Sequence, residues 1–256
     1  MVKYHKKQTK DKLIMANKEH QLRVLVLSSE ALEKSIEPLK SNTKVSVSWT
    51  ILDGSSKSEI IDYLPSQDIL VTNSLPISMK EASKNLKAIL LPAAGFEKIQ
   101  IDAVPDRCIV ANSYEHEKPI AEYVFMMMAA LDRDLINLNQ DFKAGNWSGW
   151  PQFAGPYNEL TNRELCVLGL GRIGKQVIKV GNALGMKCNA IEIRNISTEE
   201  KNNLNLQIIV KPTEMLSILS KIDFLVISVP LNDETRSMIG EKELINMKPS
   251  SFIINP

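Results

Sequence analysis

The sequence predicts an α/β protein of two doubly wound parallel-sheet domains, residues 20–118 and 119–256. Two patterns predict it. Short apolar runs of strand length alternate with segments of helical spacing along both halves, and strands joined through helices pair in parallel by right-handed crossovers. In the second half the run Leu165-Cys166-Val167-Leu168 leads straight into Gly169-x-Gly171-x-x-Gly174, and a helical pattern follows. At 256 residues, 44% of them hydrophobic, the chain is long enough for two cores.

The first domain reads in order. Leu22–Leu27 is a nearly continuous apolar run, as a strand covered on both faces requires. Glu30–Leu39 has helical spacing, and Pro38 is expected to end it, because its ring removes an amide donor and collides with the preceding turn. Val45, Val47, Trp49 and Ile51 alternate as a second strand. Ile60–Tyr63 is helical, Ile69–Thr72 is a third strand and Ile77–Leu86 a helix behind it. Ala88–Leu91 and Cys108–Ala111 are the fourth and fifth strands. Pro119–Lys143 reads as one long linking helix. Pro119 suits a first turn, where no donor is needed, and Ile120, Val124, Met127, Met128 and Leu131 form a broad apolar face. Asn146–Asn158 is a loop of Gly, Pro and Trp. Its Trp147 and Trp150 pack on their own domain or on a neighbouring subunit, the former being favoured.

The second domain runs strand Leu165–Leu168, helix Ile173–Leu184, strand Cys188–Glu192, strand Leu206–Val210, helix Thr213–Leu219, strand Phe224–Ser228, helix Glu241–Met247 and strand Phe252–Asn255. That series suits the strand order 3-2-1-4-5 of a Rossmann dinucleotide-binding domain. Gly169 allows the tight turn off the first strand, Gly171 lets the backbone approach a pyrophosphate, and Gly174 lets the helix pack close. The helix start at Arg172 and Ile173 offers amide donors and a partial positive charge, and the Arg172 side chain can add a charge-assisted contact. Glu192 follows Gly174 by 18 residues, placed to accept the adenine ribose hydroxyls and to repel a 2′-phosphate. NAD is therefore favoured over NADP, with Arg194 counting the other way. A glycine turn for S-adenosylmethionine is the alternative use of the motif. Since Phe252–Asn255 would leave an apolar edge, the domain is expected to lack its last strands and the chain to be a fragment.

Composition narrows the class. A net charge of +1 argues against nucleic acid or an anionic membrane held by bulk electrostatics. The basic arm Lys3, Lys6, Lys7, Lys10 and Lys12 with His5 reads as a solvated terminus, and Met15 is an alternative start. No apolar stretch follows the arm as in a signal peptide, and none approaches the roughly 18 residues of a bilayer span. Cys108, Cys166 and Cys188 each sit in a strand-like run and read as buried thiols of a reducing cytoplasm, without metal or disulfide role.

Four blocks stand in a telling order. They are Leu86-Lys87-Ala88-Ile89 leading to Ala93-Ala94-Gly95-Phe96-Glu97-Lys98-Ile99; Val110-Ala111-Asn112-Ser113 with Ile120-Ala121-Glu122-Tyr123; Leu168 to Lys175 with Leu184-Gly185-Met186-Lys187; and Ile222-Asp223, Val229-Pro230-Leu231, Glu234-Thr235-Arg236 and Met247-Lys248-Pro249. From Leu86 onward the chain resembles the D-isomer-specific 2-hydroxyacid dehydrogenases. The resemblance implies an NAD-binding domain and a flavodoxin-like substrate domain that closes over it. It implies that the amides of Ala94 and Gly95 hold the substrate carboxylate, with Asn73 and Ser74 lining the same cleft, and that Pro230, Thr235 and Asn255 lie at or near the cofactor. Ala93 replaces a usual glycine, Glu97-Lys98 a usual Asp-Asn pair, and Ser228 a common histidine. The family's arginine, glutamate and histidine would follow Pro256. None of His5, His20 and His116 follows the fingerprint, and Arg236 reads as surface, so no catalytic residue is assigned.

The expected function is NAD-dependent oxidation or reduction at the CH–OH group of a small 2-hydroxy acid, by a cytoplasmic homodimer, with no nucleic-acid or membrane partner. The alternative is a noncatalytic NAD-binding module that regulates or docks a partner.

Overall fold

The structure, a computed structural model, describes residues 21–256 apart from 28, 29, 151 and 153–158. The basic arm, Met15, His5 and His20 lie outside the described residues, as does most of the second half of the Asn146–Asn158 loop. The chain divides into two compact units, the first ending at Tyr114 and the second beginning at Glu115.

The first unit is a five-stranded parallel sheet in the order β2-β1-β3-β4-β5, with β1 Leu22–Leu27, β2 Val47–Leu52, β3 Ile69–Val71, β4 Ala88–Leu91 and β5 Ile109–Asn112. Alternation along β1 splits its side chains. Leu25 joins Leu70, Ile89, Leu64 and Leu75 in one core. Val24 and Val26 face the other way, packing with Ile36 of helix α1 (Glu30–Asn42). Apolar residues on both faces explain the near-continuous hydrophobic run of the strand. Helix α2 (Lys57–Tyr63) starts where the Ser56 hydroxyl accepts the Glu59 amide.

The second unit is again five parallel strands, ordered β10-β9-β6-β7-β8: β6 Glu164–Leu168, β7 Lys187–Ile191, β8 Ile209–Val210, β9 Phe224–Ile227 and β10 Phe252–Ile254. Counted within the unit this is 3-2-1-4-5 read from β8, as the motif order predicts. Leu165 and Val167 of β6 pack with Ala121, Val124, Phe125 and Met128 of α3 (Glu117–Asp132) and with Val177 and Ile178 of α5 (Arg172–Ala183). Cys166 and Leu168 pack on the opposite face with Ile218 and Leu219 of α7 (Leu216–Leu219). Burial pushes the thiols of Cys166 and Cys188 up to about 12, and that of half-buried Cys108 to about 11, so all three stay neutral.

Several elements differ from expectation. Pro38 does not end α1, which continues to Asn42. The last turn is held by side chains: the Ser41 hydroxyl and the Asn42 amide donate to the Pro38 carbonyl at 2.9 Å each, and the Thr43 hydroxyl to the Leu39 carbonyl at 2.7 Å. Ile77–Leu86 is not a regular helix but a 3-10 turn, Ile77–Met79, followed by turns. The Gln100 side chain takes the Ile77 amide, and the Ser83 hydroxyl donates to the Ala103 carbonyl at 2.8 Å, so this segment is tied to a neighbouring loop rather than to its own axis. The helix expected over Pro119–Lys143 is two helices, α3 and α4 (Leu135–Lys143), because Asp134 takes the left-handed conformation at φ 48°. Asp132, almost wholly buried, pairs with Arg163 at 3.1 Å and ends α3 there. Strand β8 is two residues long, shorter than Leu206–Val210. Helix α6 (Thr198–Asn203), started by the Ser197 hydroxyl accepting the Glu200 amide at 3.0 Å, was not foreseen. The last helix, α8, covers Glu241–Asn246.

Asp68, buried before β3, joins three strands of the first unit. Its carboxylate accepts the Arg23 amide at 3.0 Å and the Arg23 Nε at 3.1 Å, and pairs with Lys87 Nζ at 2.9 Å. Burial works to raise its pKa, but the Lys87 ammonium and the Arg23 guanidinium and amide outweigh that and hold it well below the usual carboxylate range. A depressed folded value means that its stabilisation is complete above the unfolded value near 3.8 and is lost as pH falls through the folded one. Asp68→Asn is expected to lower stability at neutral pH by about 2 kcal/mol. The loss should shrink below about pH 4, as urea unfolding at neutral and acid pH would show.

Candidate dinucleotide-binding site

Register builds the site. Leu168 pairs with Ile191 of β7 and with Ile227 of β9, so the next residues along the three strands, Gly169, Glu192 and Ser228, arrive at one level. Connections leave β6 for β7 on one side while β9 returns on the other. A sheet whose order reverses there has a crevice at the carboxyl ends of its strands. A cavity of about 470 Å³ lies at that point, lined by the glycine turn, Glu192, Arg194, Val229, Pro230 and Thr235 among others.

The three glycines stand in different surroundings. Gly169 has φ +95°, and a Cβ there would meet Val229 Cγ1 at 2.8 Å. A Cβ on Gly174 would run into the Gly169 carbonyl oxygen, so the helix packs against the turn as closely as backbone allows. Gly171 is the informative case. Its backbone, φ −71° and ψ −165°, is one any residue adopts, and a Cβ would meet nothing within 4 Å. Neither conformation nor packing asks for a glycine there, and the open space over the turn leaves room for a pyrophosphate on the amides at the start of α5.

The other predicted residues fall as follows. Ile173 lies in the first turn of α5. The Arg172 side chain turns to Glu117 of α3, with Nη1 3.9 Å from the carboxylate, and lines a separate hollow with Lys175 and Lys179. Thr235 pins the loop after β9, its hydroxyl donating to the Pro230 carbonyl at 2.5 Å and accepting the Asn232 amide at 2.9 Å. Asn255 follows β10, two strands from β6, and is not among the residues lining the cavity. Glu192 is 5% exposed. Burial works to raise its pKa, but the amides of Arg194 and Leu170 and the Arg194 guanidinium outweigh it and hold the carboxyl below its ordinary value, so it is charged at neutral pH.

Sequence reasoning missed the apolar wall of Ile193, Val229 and Met238, which carries no periodic signal because each sits in a loop. It also missed two polar props. Ser228 donates to the Gly169 carbonyl at 2.9 Å, and the Asn232 side chain accepts the amides of Glu234 and Thr235 at 3.0 and 2.9 Å. An Asn opening the Asn-Asp-Glu-Thr run is a turn signal that could have been read.

In the first unit, Asn73 and Ser74 are exposed after β3, with the Thr72 hydroxyl accepting the Ser74 amide at 3.2 Å. Ala94 and Gly95 follow β4, where the Asn112 side chain donates to the Ala94 carbonyl at 2.7 Å. Among the described residues no hydrogen bond engages the amides of Ala94 and Gly95. No cluster of three metal-ligating side chains occurs among the described residues.

A parallel sheet with a glycine turn, a helix start and an acidic strand end around one crevice defines a dinucleotide-binding protein of the Rossmann class. Comparison places it further. The NAD-binding domain profile of the D-isomer specific 2-hydroxyacid dehydrogenases matches residues 125–256, just over half of the chain, and the chain belongs to that family. D-3-phosphoglycerate dehydrogenase of Synechocystis sp. is 31% identical over 236 residues, which cover 90% of this chain and 40% of that protein. Glyoxylate reductase of Thermococcus litoralis is 29% identical over 192 residues, 73% of this chain and 56% of that one. The NAD-complexed D-isomer specific 2-hydroxyacid dehydrogenase of Lactobacillus delbrueckii ssp. bulgaricus shares the fold, with a TM-score of 0.68 at 22% identity over 92% of this chain and 70% of that one. The chain thus spans about two fifths to a little over half of the curated relatives named here.

Gly171→Val separates the two roles of the turn. The variant is expected to lose only about 1 kcal/mol, the cost of a poorer N-cap, and to bind NADH at least about tenfold more weakly in a fluorescence titration. Gly174→Ala should instead cost stability, about 2 kcal/mol. Unaltered NADH affinity in Gly171→Val would mean that the pyrophosphate does not lie on this turn.

Proposed function

We propose that the protein serves an NAD-dependent oxidoreductase that acts on the CH–OH group of a small 2-hydroxy acid. The observation that carries the reading is the glycine turn, open over Gly171 and lining the crevice at the start of α5, in a chain of this family. Residues 119–256 supply the cofactor domain and residues 20–118 the substrate domain. When bound, NAD supplies or takes up the hydride at its nicotinamide ring. The chain's own residues do the holding: the start of α5 takes the pyrophosphate, Val229 and Met238 exclude water from the crevice, and the unengaged amides of Ala94 and Gly95 take the substrate carboxylate. Asn73 and Ser74 stand beside that second site in the proposal, and Pro230 and Thr235 hold the loop over the first.

No histidine follows the glycine turn as the base of this family does. This chain by itself is therefore expected to bind NADH and to turn over no 2-keto acid, whereas the full gene product consumes NADH with at least one small 2-keto acid. Absorbance at the NADH band, run on both proteins against a panel of such acids, decides it. Binding by the chain with no turnover by either would favour the noncatalytic module.

We further propose a homodimer formed through α4. None of its residues is buried, and Leu135, Ile136 and Phe142 with Trp147 and Trp150 present an exposed apolar face; Trp147 packs edge-on against Phe142 and Trp150. Sedimentation should give twice the chain mass, falling to one chain in Ile136→Glu with Phe142→Glu; a monomeric parent would refute the contact. Neutral unpaired thiols support a cytoplasmic location, and no helix among the described residues is long and apolar enough to cross a membrane.

A further inference from the structure

In the first unit, β5 sets the direction of two amides. The Ser113 amide donates to the carbonyls of Leu91 and Ala93 at 3.1 and 3.2 Å, and the Asn112 side chain donates to the Ala94 carbonyl at 2.7 Å. In a trans peptide the amide points opposite to the carbonyl of the same unit, and no described peptide bond is cis. The amides of Ala94 and Gly95 share their peptide units with the gripped carbonyls of Ala93 and Ala94. Both are therefore turned away from β5, onto the open side of the loop. Two successive donors turned the same way form a concavity for one carboxylate.

A second loop borders this cradle. The Leu75 amide donates to the Lys98 carbonyl at 3.0 Å and the Gln100 amide to the Leu75 carbonyl at 2.9 Å, so residues 72–75 run beside residues 93–98. The bordering loop brings Thr72, Asn73 and Ser74, which are polar without charge. Phe96, 63% exposed, adds an apolar surface.

Glu97 brings a negative charge to this neutral setting. A Cβ built on Gly95 would stand 3.0 Å from Glu97 Oε1 and closer still to Oε2, so the carboxylate lies in the space that the absent side chain leaves. Among the described residues it accepts no hydrogen bond and pairs with no cation. The charge thus stands uncompensated against the residue whose amide faces the substrate. An acid with one carboxylate offsets the repulsion with two charge-assisted bonds from the cradle. An acid with a second anion meets Glu97 again, after the amides are used. Phosphate esters are held by arginines or by further amides, and neither loop carries an arginine or a histidine. Lys98 is the sole cation of residues 72–76 and 92–98, and with Glu97 it leaves the two loops without net charge to draw in a dianion.

We propose that the first unit selects 2-keto and 2-hydroxy acids whose only charge is the carboxylate, and that Glu97 is the specificity-determining residue that turns away acids bearing a second anion, such as a phosphate ester. The proposal rests on the reading given above, in which the amides of Ala94 and Gly95 take the substrate carboxylate. Consumption of NADH by the full gene product, with hydroxypyruvate and with the phosphate ester of its hydroxyl, tests it, since the two acids differ only in the second anion. The value of kcat/KM is expected to be at least about tenfold higher for hydroxypyruvate. The difference should lie in KM, and added salt should narrow it. Glu97→Gln should narrow the gap at least about fivefold, by lowering KM for the phosphate ester, whereas Glu97→Asp keeps the charge and should keep most of the gap. The preference of the unmodified protein and its salt dependence stand as a test even if a variant folds poorly. A preference for the phosphate ester, or a gap that Glu97→Gln leaves as wide, overturns the proposal and leaves the 2-hydroxy acid reading standing. Turnover of no small 2-keto acid at all overturns both.

Discussion

The close approach of α5 to the end of β6 is the constraint on which the second unit depends. Without a side chain on Gly174 the helix start lies against the Gly169 carbonyl; with one it would have to lift away. That contact aims the first amides of α5 at the crevice and places Val177 and Ile178 on Leu165 and Val167. The same helix that offers charge to a ligand therefore seals one face of the core, and the site cannot loosen without cost to the packing beneath it.

The opposite end of the sheet is anchored by charge. Arg163, just before β6, pairs with Asp132 at the end of α3 and with Asp223 before β9 at 3.2 Å, while Lys248 reaches Asp223 at 3.0 Å. The Arg163 guanidinium lies over the Phe224 ring, 5.2 Å from its centre. Burial works to raise the Asp223 carboxyl, but the Glu164 amide and the two cations hold it below its usual range. Removing one member of so buried a set leaves an uncompensated charge, so the network specifies how the end of α3 meets the starts of β6, β9 and β10 more than it adds net stability.

The first unit repeats this logic. Asp68 ties β1, β3 and β4 at their starts, where Arg23 and Lys87 meet it. In each unit a charged network ties strands together at their amino ends, while the carboxyl ends carry the turns that line the candidate sites. A parallel sheet separates anchoring from binding in this way because all of its strands finish on the same side.

What the residues alone determined was the periodic part. Apolar runs such as Leu22–Leu27 and Phe224–Ile227 must be buried on both faces, and glycines 169, 171 and 174 after a strand and before a helix leave one class of ligand in view. Two helix starts could have been read and were not: Ser56 and Ser197 each stand three residues before a glutamate whose amide they cap. Helix limits were not legible where a distant partner decided, as with Asp132 on Arg163, or where polar side chains carried α1 past Pro38. Nor could spacing show that Glu192 turns inward to Leu170 and that Arg194 faces outward. The sequence places both at the end of one strand, but hydrogen bonds between segments more than twenty residues apart choose which group is buried by the fold and which stays exposed.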